Sequence, residues 1–210
     1  MIEKVRNKKH WPFLTLTGIA IYTILYIIAT RYYPGGSNFD KTQIGFHWST
    51  NYWCELLGEY SKNGFINKAR PIALVGMIFL SLSLSLFWIQ LPNSLSLTKI
   101  SNRIIQFCGM LSMIFFSLIF TDYHDVFIGL AVLFGATAFI LTIYGFYKLG
   151  NLKTYLFGSF CLILVAINNL IYLFDFQINY LPILQKITFL CIFVWITSIT
   201  FYVSKKTGIT

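Results

Sequence analysis

Long apolar runs alternate with short polar connections along this chain, and the runs have the length of membrane-crossing helices. Stretches of roughly 20 apolar residues, enough to cross a ~30 Å hydrocarbon core, recur six times, at residues 11–30, 71–91, 104–121, 126–149, 155–174 and 181–203. The third is the shortest. The connections at 92–103, 122–125, 150–154 and 175–180 are brief, which predicts antiparallel neighbours in one all-α, six-helix bundle. The exception is the connection over residues 32–70, which is polar and aromatic. There is no hydrophilic domain and no repeat of 20–50 residues, so residues 1–210 read as a single transmembrane domain.

Composition agrees. The chain is 57% hydrophobic and 11% charged, with a mean hydropathy of +0.69, whereas soluble domains carry about 25% charged residues. The first apolar run follows Lys4, Arg6, Lys8 and Lys9, as a signal peptide would. It is too long for a signal core, and no small-x-small cleavage site precedes Arg31; a retained anchor helix is expected.

Charge then orients the bundle. Six spans place both termini on one side, with Lys4, Arg6, Lys8, Lys9, Lys99, Arg103, Lys148, Lys153, Lys205 and Lys206 against Glu3 alone. The opposite side holds Arg31, Lys41, Lys62, Lys68, Arg70 and Lys186, matched by Asp40, Glu55, Glu59, Asp122, Asp125 and Asp175. The formal +9 therefore belongs to one face, and the other is neutral. The positive-inside rule predicts an inner (plasma) membrane protein with cytoplasmic N- and C-termini. Attraction to anionic headgroups accounts for the excess charge, so membrane lipids are the expected partners and nucleic acid is not.

Candidate chemistry gathers on the neutral side. Pro34-Gly35-Gly36-Ser37 signals a turn. Residues 43–62 then read as an amphipathic helix along the outer interface, ended by Asn63-Gly64. In that helix His47, Asn51, Glu55 and Glu59, each four residues after the last, share one face, with Trp48 and Trp53 at headgroup level. The alternative is a stripe that only faces water.

On the same side lie Asp122-Tyr123-His124-Asp125, Asn168-Asn169 near the end of the fifth span, and Lys186 about one turn inside the sixth. Asparagines in hydrocarbon need partners, which interhelical bonds can supply. Ionisable groups at such depth are functional candidates, although Lys186 also suits snorkelling or ion pairing.

Two chemistries suit these groups. His47, Glu55, His124 and Asp125 have the ligand types for a divalent metal such as zinc, with a position left for activated water. A His–Asp pair can instead serve as general base, though adjacent residues point in different directions on a helix. Asp125 is also well placed to cap the fourth span. Neither spacing completes a motif. Cys54 becomes a nucleophile only with a polarising neighbour. Cys108, Cys161 and Cys191 read as packing. Ser81, Ser83 and Ser85 read as packing or back-bonding serines, and Gly129, Gly135, Ala136 and Ala138 predict a fourth span near the bundle centre.

Two resemblances add to this. Six spans, a basic cytoplasmic N-terminus and an outer segment ending in a short acidic motif resemble the bacterial multi-pass family called domain of unknown function 998. Its Ser-[Asp/Glu]-Leu-Gly-like step after the first helix corresponds here to Cys54-Glu55-Leu56-Leu57-Gly58, with Cys for Ser and one extra Leu; the resemblance implies a fold. Trp53-Cys54-Glu55 is similar to the Trp-Cys-Glu of alkaline ceramidases, zinc-dependent membrane hydrolases. Those enzymes also use a His-x-x-x-His pair near the last helix, and the sixth span here has no histidine.

The expectation is an outward-facing polar and aromatic pocket that binds lipid or another apolar ligand in an accessory role. Trp48, Asn51, Trp53, Asn168, Asn169 and Lys186 would line it. The alternative is a membrane-embedded hydrolase of a lipid ester or amide using His47, Glu55, His124 and Asp125. A transporter is disfavoured by the lack of an inverted repeat or broken helix pair.

Overall fold

The computed structural model describes residues 10–206. Glu3 and the basic residues Lys4, Arg6, Lys8 and Lys9 lie outside that range. Six long helices form the described chain: α1 (Trp11–Tyr32), α2 (Arg70–Gln90), α3 (Lys99–Phe116), α4 (His124–Lys148), α5 (Leu152–Phe174) and α6 (Leu181–Lys206). Short 3-10 turns at Trp53–Leu57, Leu91–Ser94 and Ile178–Tyr180 complete the regular structure, and the described residues contain no strand, only two isolated bridges.

Five of the six helices are long and apolar enough to cross a membrane. The exception is α3, whose first turns carry Lys99 and Arg103. It starts before the apolar run does because Thr98 caps it, the side-chain oxygen accepting the Ser101 N–H at 3.1 Å. It also stops at Phe116, so residues 117–123 are a chain of turns rather than the end of a span.

Each helix packs chiefly on its neighbours in sequence, and α6 returns to α1, where Tyr22 and Phe193 meet edge to face at 5.6 Å. The tightest approach joins α1 and α2. A Cβ on Gly18 would lie 2.1 Å from Ser83 Oγ, so only glycine lets these helices come together there. Ser83 and Ser85 bond back to Leu80 O and Ser81 O, at 3.0 and 2.7 Å, as back-bonding serines do.

The sequence placed α4 at the bundle centre, and that expectation is corrected: only 22% of its apolar window is buried, against 50% for α2. Gly129 faces open space, and Gly135 serves a local approach of α4 to Ser112 on α3. Besides its packing on α3 and α5, α4 meets Trp195 of α6. The fully buried Trp195 stacks on Phe139 at 4.2 Å and donates its indole N–H to Thr154 O at 2.9 Å.

The helix expected over residues 43–62 does not form. Apart from the five-residue 3-10 turn Trp53–Leu57, the segment between α1 and α2 is irregular chain folded on itself. Gly35 (φ 137°), Gly36 (φ 76°), Gly45 (φ 70°) and Gly64 (φ 89°) take backbone conformations foreign to a helix. Gly35 and Gly36 are equally tight: a Cβ would sit 2.3 Å from the Gln43 carbonyl oxygen at the first and from the Asn63 backbone nitrogen at the second. The Asn63-Gly64 stop signal is real, but it turns the chain between Ser61 and Phe65, whose backbones bond at 2.9 Å, rather than ending a helix. Side chains supply the bonds that a helix would have made through its backbone. We refer to residues 33–69 as the cap.

Candidate functional site

Two asparagines hold the cap. Asn51 is fully buried and uses its whole amide. Its Oδ1 accepts from Gln43 Nε2 at 2.6 Å and from the His47 N–H at 2.8 Å, and its Nδ2 donates to Gly36 O at 2.6 Å and Glu55 Oε2 at 2.5 Å. Asn67 Nδ2 donates to the carbonyls of Glu55, Leu56 and Gly58 at 3.1, 3.2 and 2.9 Å, and its Oδ1 accepts the Ala69 N–H at 3.1 Å. Asn67 thus serves carbonyls that the short 3-10 turn leaves open and leads the chain into α2.

The last helix ties into this arrangement. Lys186 Nζ donates to Asn51 O at 2.5 Å and Pro182 O at 2.9 Å, and sits 5.5 Å from the centre of the Phe46 ring. Gln185 Oε1 accepts the Trp53 N–H at 3.2 Å. Below, the Trp53 ring packs among Tyr22, Tyr26 and Phe189 at 5.5–5.9 Å, which joins the cap to α1 and α6. Glu55 is 6% exposed, and its second oxygen, Oε1, is buried with no hydrogen-bond partner. Burial pushes its carboxyl above the ordinary 4.5, opposed by the Asn51 bond and the charges of Lys62 and Lys41.

A separate cavity of about 200 Å³ opens beside the cap, lined by Cys54, Leu57, Gly58, Glu59, Arg70, Ile119, Phe120, Thr121, Asp122 and His124. The cap contributes one wall, the first residue of α2 another, and the turn leading into α4 the third. Arg70 makes no side-chain hydrogen bond or ion pair among the described residues, and its Nε is buried without a partner. His124 is held from behind: its Nδ1 lies 3.0 Å from Asp125 Oδ1, which also accepts from Tyr172 OH of α5 at 3.0 Å. Cys54 lines the same cavity, yet its thiol is pushed up to about 12, by burial first and then by the Glu55 charge. That is the reverse of what an activated nucleophile needs.

The residues singled out in the sequence divide between these places. Asn51, Glu55, Trp53 and Lys186 converge in the cap, whereas Glu59 and His124 line the cavity, with Asp125 behind His124. The shared face of His47, Asn51, Glu55 and Glu59 is corrected: His47 and Glu59 are exposed while Asn51 and Glu55 are buried. Trp48 is 48% exposed and touches the Phe46 ring edge-on at 5.7 Å.

Asp125 does not cap α4. It sits in the first turn behind Tyr123, and from there it reaches the adjacent His124, a pair the sequence placed in different directions. Asn168 bonds Leu164 O and Thr188 Oγ1 at 2.8 and 2.7 Å, joining α5 to α6, and Asn169 bonds Val165 O at 2.8 Å. Among the described residues no three of His, Cys, Asp or Glu are grouped as metal ligands, so His47, Glu55, His124 and Asp125 do not form one ligand set.

Gln43, Asn67, Arg70, Tyr172 and Gln185 went unread in the sequence. Arg70 carried a signal, being a charge at the threshold of an apolar run; the others acquire their roles only where loops meet. Comparison with protein families, with curated proteins and with solved structures found no match.

Proposed function

We propose that this chain is a six-crossing plasma-membrane protein that binds a lipid or similar amphiphile in the cavity beneath its outward-facing cap. The observation that carries the binding is Arg70. It is a guanidinium on the wall of a cavity, its Nε buried, with no side-chain partner among the described residues. A buried N–H donor without a partner is costly, and an anionic group in the cavity would satisfy it. Leu57, Ile119 and Phe120 supply the apolar side of the same cavity, which suits an amphiphile rather than a free ion.

Orientation follows from charge. Lys99, Arg103, Lys148, Lys153, Lys205 and Lys206 lie at or near helix ends opposite the cap, and the positive-inside rule sets that end in the cytoplasm. The cavity then lies at the depth of the outer headgroups, because Arg70 and His124 are the first residues of apolar helices. The shorter α3 crosses as part of the bundle, its polar start at the cytoplasmic headgroups.

The experiment is native mass spectrometry of detergent-purified protein. Stoichiometric lipid should survive on the wild type and be lost when Thr121→Trp fills the cavity. Wild-type protein carrying no lipid, or a Thr121→Trp variant that retains it equally, would defeat the reading. For orientation, an impermeant thiol reagent should label a cysteine introduced at Lys41 from outside the cell.

A hydrolase is the second reading, favoured by one observation: the chain Tyr172–Asp125–His124 orients an imidazole at the cavity wall as a general base would be oriented. Its test is release of an acyl group from lipid ester or amide by wild type and not by His124→Ala.

A further inference from the structure

On the reading that the cavity binds an amphiphile, we propose that its ligand is a phospholipid whose headgroup carries a primary ammonium beside the phosphate, the phosphoethanolamine arrangement. The inference comes from how the charges are layered. Arg70 is partly buried, with the Nε fully so, whereas Glu59 and Asp122 on the same lining are exposed. A cation inside and two carboxylates at the rim suit a zwitterion entering with its anion first.

The inner group is matched to phosphate. Guanidinium presents a planar fork of N–H donors that fits two phosphate oxygens, and Arg70 makes none of those bonds among the described residues. A headgroup with only negative charge would gain Arg70 but meet Glu59 and Asp122 without compensation.

His124 sharpens the outer group. Its Nδ1 is engaged with Asp125, and in the tautomer that donates to that carboxylate its Nε2 is an acceptor. Glu59, Asp122 and His124 together then offer three acceptors to a cation. A primary ammonium has three N–H donors to meet them, and a quaternary ammonium has none. Size agrees as well: about 200 Å³ falls below the roughly 300–1,000 Å³ of pockets that enclose whole drug-sized ligands. The cavity therefore holds the headgroup, and the acyl chains leave over the exposed Phe120 toward the bilayer.

Competition settles it. The full-length protein in detergent is given equimolar dioleoyl-phosphatidylethanolamine, -phosphatidylglycerol and -phosphatidylcholine, and the retained lipid is read by native mass spectrometry. Wild type should favour phosphatidylethanolamine by about fivefold or more over each of the others. Arg70→Ala should lower its retention about tenfold, as expected for loss of a charge-assisted pair. The Glu59→Gln/Asp122→Asn double variant, altered only at exposed positions, should keep Arg70-dependent retention but lose the preference.

Equal retention of the three lipids with loss in Thr121→Trp would overturn the headgroup assignment while leaving the cavity reading intact. Absence of any retained lipid would overturn both. Soluble glycerophosphoethanolamine that displaces the lipid at equal concentration would make the free phosphoester the ligand and overturn the lipid assignment.

Discussion

The cap interior and the adjacent cavity are both polar clusters at the same end of the bundle, and they treat their charges in opposite ways. Inside the cap, Asn51 spends all of its amide capacity, and Lys186 gives two bonds to carbonyls. In the cavity, Arg70 makes no side-chain bond among the described residues, although Glu59 and Asp122 line the same space. A satisfied buried network specifies shape. An unpaired cation beside an open cavity is the feature on which the proposed ligand rests. Polarity by itself does not distinguish the two, and neither does a missing bond: Glu55 Oε1 and Trp53 Nε1 in the cap and Arg70 Nε beside the cavity are all buried without a partner, but of their residues only Arg70 lines the open space.

The comparison breaks most visibly at Asn51. Asn51→Ala strips partners from Gln43, Glu55, the Gly36 carbonyl and the His47 N–H, and should cost about 3–5 kcal/mol, the upper range for breaking a buried polar network. Thermal unfolding in detergent, followed by proteolysis within residues 33–69, would read the loss. If the cap stays closed and stable, its network is ornamental and the contrast with the cavity collapses.

Lys186→Met comes next. It removes the bond from α6 to Asn51 O while keeping an apolar stem of similar length. A cost of about 1.5–3 kcal/mol is expected, the range for a hydrogen bond involving a charged group. Cap proteolysis should speed up, and lipid retention through Arg70 should change less than cap stability.

Glu55 provides a pH test of smaller size. Its carboxyl is raised above 4.5 in the folded protein, by burial first, so the folded state binds the proton more tightly than the unfolded chain does. Its contribution to stability is therefore fully present below the unfolded value and is lost as pH rises through the raised folded one. The nearby positive charges of Lys41 and Lys62 oppose the shift without reversing it. Unfolding measured from pH 4 upward should show the wild type losing stability relative to Glu55→Gln. At pH 4 the two should agree within about 1 kcal/mol, since the Asn51 bond survives in both. A pH-independent difference would mean that Glu55 does not titrate in the fold.

The smallest effect belongs to His47. Its side chain is exposed, and only its backbone serves Asn51. His47→Ala should change stability by no more than about 0.5 kcal/mol and leave lipid retention unaltered. A loss of retention would move the binding site from the cavity to the exposed side of the cap.

These outcomes track what the residues announced beforehand. The long apolar runs were legible because hydrocarbon thickness imposes a length on them, and each run found its helix within a few residues apart from the displaced third. The cap was legible as a place but not as a shape. A four-residue spacing does bring Asn51 onto His47 O through a 2.9 Å backbone bond, and Asn51 onto Glu55 through the side chains. Each is a single local turn, and extended backbone at Tyr52 (φ −76°, ψ 151°) and Gly58 (φ −63°, ψ 150°) breaks the chain before these turns can join into a helix. The cavity was half legible: His124 and Asp125 stood out as rare ionisable groups, whereas Arg70 and Tyr172 matter through loops and helices that meet only in three dimensions.

The bonds from α6 to the cap also bear on how the chain is made. Asn51 O waits for a donor 135 residues further on, and the Trp53 N–H waits for an acceptor 132 residues further on. Synthesis delivers the cap after one helix of six and the groups that close it with the last. A nascent chain halted before Gln185 therefore has a cap held by its own asparagines, without the two bonds from α6. The cap thus reaches its full set of bonds only when the sixth helix of the described residues is in place.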